Sequence, residues 1–356
     1  MRSPENTSLA RVVFVLPSFA GGGAERVSLN LLKVVDRKYF RPELIVLDDS
    51  GPLAKDKPDD VAIHGLGAPR LRRAIPALVK VLRHIKPAVV FSTFTHMNLA
   101  LIAARPLLNK TRIVVREANL PSLSFSRLPW PAGFSALSRA LYPRADHVIA
   151  SSMRMVEEFC TLGVSRNKIE ILHNPVDLVR LRASAGSAPH GMSEIVQLVA
   201  VGRLVPQKGF DRLLHAMAEL GGESQCTIIG DGPERLALEK QAAQQNLTSR
   251  VSFAGFVANP APMIAAADAL VMPSRFEGMP NAALEALALG TPVIATPEAG
   301  GIAEIASVTI AEVGEPLVAA MRAVNRKAAH RQSLLPDAYL MDNVAKQFNT
   351  LLRDLT

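Results

Sequence analysis

Short apolar runs rich in β-branched residues alternate along this chain with longer stretches whose apolar positions recur every three or four residues. In the first half, the runs at 11–17 (RVVFVLP), 42–48, 61–66, 88–93, 112–117, 147–152 and 169–174 read as strands. Segments between them, such as AERVSLNLLKVV at 24–35, carry the helical period. The stretch 181–193, LRASAGSAPHGMS, is small, polar and aperiodic, and reads as a linker. The pattern then restarts, with strand-like runs at 195–202, 226–232, 250–256, 268–273 and 291–296. Strands alternating with helices predict the α/β class with parallel sheets. The restart predicts two doubly wound, Rossmann-like domains, 1–180 and 194–335. A C-terminal helix in 336–356 is expected to pack back toward the first domain. Ligands of such sheets bind beyond the carboxyl ends of the strands, so the site is expected in a cleft between the domains.

The 356-residue length suits two cores of roughly 150–200 residues each. Hydrophobic content of 49% and charged content of 20% are globular, and exclude a collagenous, repeat-built or low-complexity chain. No uncharged apolar run reaches the ~18 residues that span a bilayer. The N-terminus lacks a signal peptide's apolar core, so a cytoplasmic protein is expected. Cys160 and Cys226 lie far apart without metal-ligand neighbours, which favours a reducing compartment and a small core residue at each position. Charge changes the picture more. Residues 1–185 hold 27 Lys and Arg against 15 Asp and Glu, whereas residues 186–356 hold 13 against 17. A basic first half points to an anionic partner: a phosphorylated substrate, a membrane surface or nucleic acid.

The candidate chemistry lies where strands run into helices. In PSRFEGMPNAALEALALGTPVIAT, Glu277 and Glu285 bracket a Gly278-Met279-Pro280-Asn281 turn in an apolar region. Pro280 suits a helix's first turn, and Gly290 with Pro292 ends it. A helix start is a ready anion site. Glu285 falls only ~7 Å further along the axis than the loop carrying Glu277, so both carboxylates can face one ligand. Carboxylates repel phosphate, so they should meet hydroxyl groups, and a sugar at each end of a diphosphate fits. VAVGRLVPQKGF supplies Arg203, a planar fork, and Lys208, a mobile point charge, for phosphate oxygens; read alone, they are equally two solvated loop charges. GDGPE places Gly230 in a third strand-to-helix turn, although Gly-Asp-Gly-Pro is ordinary turn chemistry. In the first half, PSFAGGGAERV puts Gly22 and Gly23 where a ligand could approach the backbone closely, or where a tight turn is needed. His96 and Glu117 follow strand ends as pocket residues would, or serve structural roles.

These residues resemble family 4 (GT4) of the retaining glycosyltransferases, which have the GT-B architecture. The resemblance covers roughly residues 11–305 through GGGAERV, REANLP, HNPVD, GRLVPQKGFDRLL, IIGDGPER and, most specifically, SRFEGMPNAALEALALGTPVIAT with its E-x7-E spacing. It implies transfer of a hexose or N-acetylhexosamine from a UDP-sugar or GDP-sugar, with no metal or other cofactor. Arg203 and Lys208 would bind the diphosphate and offset leaving-group charge. Glu277 would contact the donor sugar and Glu285 the ribose. Backbone N–H groups of Gly278, Met279, Pro280's neighbours and Asn281 would hold the β-phosphate or the sugar. Gly22 and Gly23 would admit the phosphate on the acceptor side, and His96 would line the sugar pocket. After GGIAEIA (300–306) the chain departs from the family pattern. SVTIAEVGEPLVAAM is short, and neither the usual last strand nor the returning helix is evident in it.

Features that suit an acceptor lie in the first half. RLRRAIPALVKVLRHIK (70–86) is basic and amphipathic, and 122–144 holds Phe125, Trp130, Phe134 and Tyr142 among arginines. Basic-plus-aromatic surfaces suit a membrane interface, so a glycan or lipid-linked glycan acceptor on an anionic membrane surface is expected. An ordinary amphipathic helix and a loop are the plainer reading. Other classes are a nucleic-acid- or anion-binding protein of GT-B kind without transferase activity, and a dinucleotide-dependent oxidoreductase. The sequence has no helix-turn-helix, zinc or ribonucleoprotein signature, and no G-x-G-x-x-G spacing.

Overall fold

The computed structural model describes residues 9–68, 71–125, 130–186, 195–222, 224–325 and 332–356. The elements run β1 (Ala10–Leu16), α1 (Gly23–Val34), β2 (Phe40–Val46), β3 (Ala62–Gly65), α2 (Leu71–Ile85), β4 (Val89–Ser92), α3 (Thr95–Ala103), β5 (Arg112–Arg116), α4 (Pro121–Phe125), α5 (Pro131–Leu141), β6 (His147–Ala150), α6 (Met153–Thr161) and β7 (Ile169–Ile171). They continue with α7 (Leu178–Ala185), β8 (Val196–Val201), α8 (Phe210–Leu220), β9 (Ser224–Ile229), α9 (Arg235–Gln244), β10 (Val251–Gly255), α10 (Ala261–Ala266), β11 (Ala269–Met272), α11 (Asn281–Ala288), β12 (Val293–Ala295), β13 (Val308–Ile310), α12 (Glu315–Arg322) and α13 (Met341–Leu355). Contacts divide the chain into one unit of residues 1–175 with 341–356, and another of residues 176–340.

The first unit is a seven-stranded sheet ordered β3-β2-β1-β4-β5-β6-β7, and the second a six-stranded sheet ordered β10-β9-β8-β11-β12-β13. The strand pairs are parallel. Central strands such as VVFVL in β1 are buried throughout. Helices cover both faces of such a sheet, so its strands read as continuous apolar runs.

Helix α13 belongs to the first unit, because its apolar positions form one stripe. Val344, Phe348, Leu351 and Leu352 are buried at helical spacing. The Phe348 ring meets Phe14 and Phe91 edge-on, with centroids 6.1 and 5.9 Å away. Asn349 accepts from the Asp36 amide at 2.7 Å and donates to the Val34 carbonyl at 2.7 Å. It thereby satisfies backbone groups left over where α1 ends.

Three sequence expectations change. Residues 178–185, partly assigned to the linker, form α7, whose Asp177 cap accepts from the Arg180 amide at 2.9 Å. Positions 187–194 lie outside the described residues. The short stretch after residue 306 does complete the second sheet, since β13 pairs with β12 from Val293↔Val308 to Ala295↔Ile310. Only Val308 of β13 is buried, so this edge strand carries little apolar signal. Helix α12 follows, burying Leu317, Val318 and Met321. Finally, Cys226 is buried, which pushes its thiol up to about 12, whereas Cys160 is exposed. Cys160 follows the buried Phe159 on α6 and so turns toward water. Among the described residues, no helix is long and apolar enough to cross a membrane.

Candidate functional site

Each sheet reverses its strand order once, between β1 and β4 in the first and between β8 and β11 in the second. Loops leaving the carboxyl ends of such neighbours diverge and leave a crevice. In the second unit these two loops carry Arg203 with Lys208 and Ser274 through Gly278. The Lys208 ammonium lies 2.6 Å from Glu277 Oε1, with side-chain exposures of 22% and 7%. Ser274, itself buried, donates its hydroxyl to the same oxygen at 2.9 Å. Thr296 in turn donates to the Ser274 carbonyl at 2.7 Å. A carboxylate this buried needs both a cation and a hydrogen-bond donor. Sequence reading missed Ser274; a serine three residues before the carboxylate, at the end of an apolar strand, is the signal it left.

Gly278, Met279 and Pro280 are buried, and Asn281 opens α11 after Pro280, which offers no capping side chain. Glu285 is half-buried in the next turn, and Arg203 is exposed. The loop after β12 braces the turn: Gly301 donates its amide to the Gly278 carbonyl at 2.7 Å. Gly300, at φ +75°, has no room for a side chain, because a Cβ would lie 2.3 Å from the Gly278 oxygen. Gly230 has φ +142°, and a Cβ there would fall 1.9 Å from the Gly202 oxygen. Loop-on-loop packing beside Arg203 therefore requires a glycine at this position. Among the described residues, no three or more His, Cys, Asp or Glu side chains gather as a metal would require.

In the first unit Gly22 precedes α1 as its cap and Gly23 begins it, both exposed. Glu25, in the same turn, is buried, and burial raises its pKa. His96 follows β4, in the first turn of α3, its ring 5.9 Å from that of Phe94. The residue is exposed, although its neighbours desolvate the ring enough to lower its pKa. A hydrogen bond of 2.8 Å between the Ser28 and Thr93 hydroxyls ties α1 to the loop that leads into α3 and His96. The structure thus brings Gly22, Gly23 and His96 to one edge of one sheet.

Of the two readings the sequence leaves for Glu117, pocket residue or structural residue, the structure favours the second. It is 1% exposed and points inward. Thr95 donates to it at 2.7 Å, Asn98 at 2.9 Å, and the Tyr142 hydroxyl also donates to it. This network pins the first turn of α3, next to His96. Burial pushes the Glu117 carboxyl up to about 7, against those hydrogen bonds and the charge of Arg116, which lower it. From the ordinary carboxylate range up to about 7, the folded chain therefore holds a proton that the unfolded chain releases. Stability from this group is complete at acid pH and is lost as pH rises through that window. Thermal midpoints of the native chain and Glu117→Gln, compared between about pH 5 and about pH 8, should show the native chain losing ground toward the alkaline end. A pH-independent difference between them would contradict the assignment. Tyr142, expected on a surface with Trp130, is instead fully buried as Glu117's partner, and Phe134 is half-buried. Trp130 stays 70% exposed, and the Phe125 side chain lies outside the described residues.

Two family profiles match the chain: "Glycosyltransferase Family 4" over residues 21–180 and "Glycosyl transferases group 1" over residues 196–334. The chain is 29% identical over 308 residues to the N-acetylgalactosamine-N,N'-diacetylbacillosaminyl-diphospho-undecaprenol 4-alpha-N-acetylgalactosaminyltransferase of Campylobacter jejuni, spanning 81% of each protein. Among solved structures it resembles Anabaena HepE in complex with UDP, at TM-score 0.76 and 20% identity over 97% of this chain and 98% of that one. It likewise resembles the lipopolysaccharide outer core galactosyltransferase WaaB, at TM-score 0.76 and 20% identity over 97% of this chain and 100% of that one. With a profile on each unit and a fold shared end to end, the chain belongs to the family 4 glycosyltransferases and has their GT-B architecture of two Rossmann-like domains.

Proposed function

We propose that the chain transfers a hexose or N-acetylhexosamine from a nucleoside diphosphate sugar to a glycan or lipid-linked glycan acceptor, in the assembly of lipopolysaccharide or a related surface glycan. The observation that carries this reading is the Lys208–Glu277 pair at the strand-order reversal of the second sheet, directly before the start of α11. Lys208 and Arg203 meet the diphosphate and offset the charge that grows on it as the sugar leaves. Glu277 turns its carboxylate to the sugar hydroxyls and Glu285 to the ribose. The turn from Gly278 to Asn281, at the positive end of α11, receives the β-phosphate or the sugar. The reaction needs no metal in this reading, because side-chain cations take that role. It proceeds with retention, the acceptor attacking from the face that the phosphate leaves, with that phosphate helping to remove its proton. The UDP bound in HepE and the lipid-diphosphate acceptor in the Campylobacter relative's name support the substrate classes.

Thermal stability against a panel of nucleoside diphosphates and nucleotide sugars tests the donor site. A ligand at 100 times its Kd adds about 2.7 kcal/mol to the folded state. One uridine or guanosine diphosphate should raise the midpoint of the native chain and fail to do so in Lys208→Ala and Glu285→Ala. Absence of any shift would sink the reading.

On the acceptor side, the outward face of α2 presents Arg72, Arg73, Lys80 and Arg83, with the exposed Lys86 just past its end, while Ala74, Leu78, Leu82 and Ile85 are buried. This face, with Trp130, suits an anionic membrane, where each cation contributes about 1 kcal/mol. The enzyme then works on the inner membrane face from the cytoplasmic side. It should float with vesicles containing phosphatidylglycerol and stay behind with purely zwitterionic ones. Equal behaviour toward both would remove the membrane from the proposal.

A further inference from the structure

The two loops of the second unit's site are fastened by contacts that the Lys208–Glu277 pair does not itself require. Lys208 ends a tight turn, Pro206–Lys208, and Gly209 leads from it into α8. Across from it, the Arg275 guanidinium donates to the Pro206 carbonyl at 2.9 Å. It also grips Asp211 with both prongs, each at 2.6 Å. Pro206 and Asp211 stand on either side of Lys208, so one planar side chain brackets the turn. Backbone and amide contacts repeat the connection, with the Arg275 amide on the Gln207 carbonyl at 2.8 Å and the Gln207 side chain on the Phe276 carbonyl at 3.1 Å. Glu277 follows immediately. The pair is 36% and 40% exposed, so water screens it and its value to stability is small. Its two-pronged geometry, by contrast, holds direction tightly.

We propose that Arg275 and Asp211 are positioning residues for donor turnover, clamping the Lys208 turn to the Glu277 loop so that ammonium and carboxylate meet the donor at a fixed separation. The inference rests on reading these loops as the donor site. A cation displaced by about 1 Å can lose a large factor in rate. The loss should be greatest toward the departing diphosphate, which carries more charge than the intact nucleotide sugar.

The test compares the native chain, Arg275→Ala, Arg275→Lys and Asp211→Asn by calorimetry with uridine and guanosine diphosphate, and by steady-state kinetics with the nucleotide sugar identified in the thermal panel. Arg275→Ala and Asp211→Asn should weaken diphosphate binding about tenfold and lower kcat by a similar factor, with KM for the sugar nucleotide changing less than about threefold. Arg275→Lys keeps the charge without the fork and should recover part of the loss. The ligand-free thermal midpoint should move by less than about 4 °C. Unchanged diphosphate affinity in Arg275→Ala overturns the inference, as does a loss matched by a collapse of the ligand-free midpoint. A native chain that binds neither diphosphate overturns the donor-site reading and this inference with it.

Discussion

Lys208→Ala is expected to slow glycosyl transfer by about a hundred- to a thousandfold, the usual cost of removing one preorganised charge-stabilising donor. The effect has a second component that the geometry separates from the first. Glu277 is 7% exposed and shares its Oε1 between Lys208 and Ser274. Removing the ammonium leaves a buried carboxylate with a single hydroxyl for compensation. Breaking a buried pair this way costs about 3–5 kcal/mol, and with Lys208 at 22% exposure a figure near 2 kcal/mol is the better expectation. Lys208→Met combined with Glu277→Gln removes the stranded charge and should restore most of that stability while remaining inactive. Denaturant titrations beside initial rates make the comparison. If the double variant were active, Lys208 and Glu277 would not be the residues that carry the chemistry. If Lys208→Ala were as stable as the native chain, the pair would not be closed in solution.

The largest effect on folding is expected from Phe348→Ala, which should cost about 3–5 kcal/mol. The ring is wholly buried and is held edge-on between Phe14 of β1 and Phe91 of β4. Its loss opens a cavity in the first unit's core that rigid neighbouring strands cannot fill. For a unit of this size the thermal midpoint should fall by roughly 10 °C, with Phe348→Leu losing much less. A drop of only a degree or two would mean that α13 is a loosely held tail. Nucleoside diphosphate affinity should survive in the folded fraction, since Arg203, Lys208, Glu277 and Glu285 lie in the other unit.

The order of strands and helices, the two-sheet organisation and the loops that end in Arg203, Lys208, Glu277 and Glu285 were legible in the sequence for a local reason. Parallel strands buried on both faces write themselves as continuous apolar runs, and the residues that follow each run stand at the carboxyl edge. Edge strand β13 and helix α7 escaped because each buries one side chain or little more, which leaves hardly any periodic signal. The inward turn of Tyr142 and Glu117 escaped because a buried acid is indistinguishable in sequence from a pocket acid until its donors are in place, and those donors, Thr95 and Asn98 on α3 and Tyr142 just after α5, lie well away from it in the chain. By itself, then, the sequence determined which residues reach the working edge of each sheet. Only the tertiary structure decided which of them touch. Lys208 and Glu277 meet because β8 lies beside β11, and Arg275 reaches Asp211 for the same reason. Strand order is set by how helices cover a sheet and not by any pattern within one strand, so contacts between loops far apart in the chain exist only once the sheet is assembled.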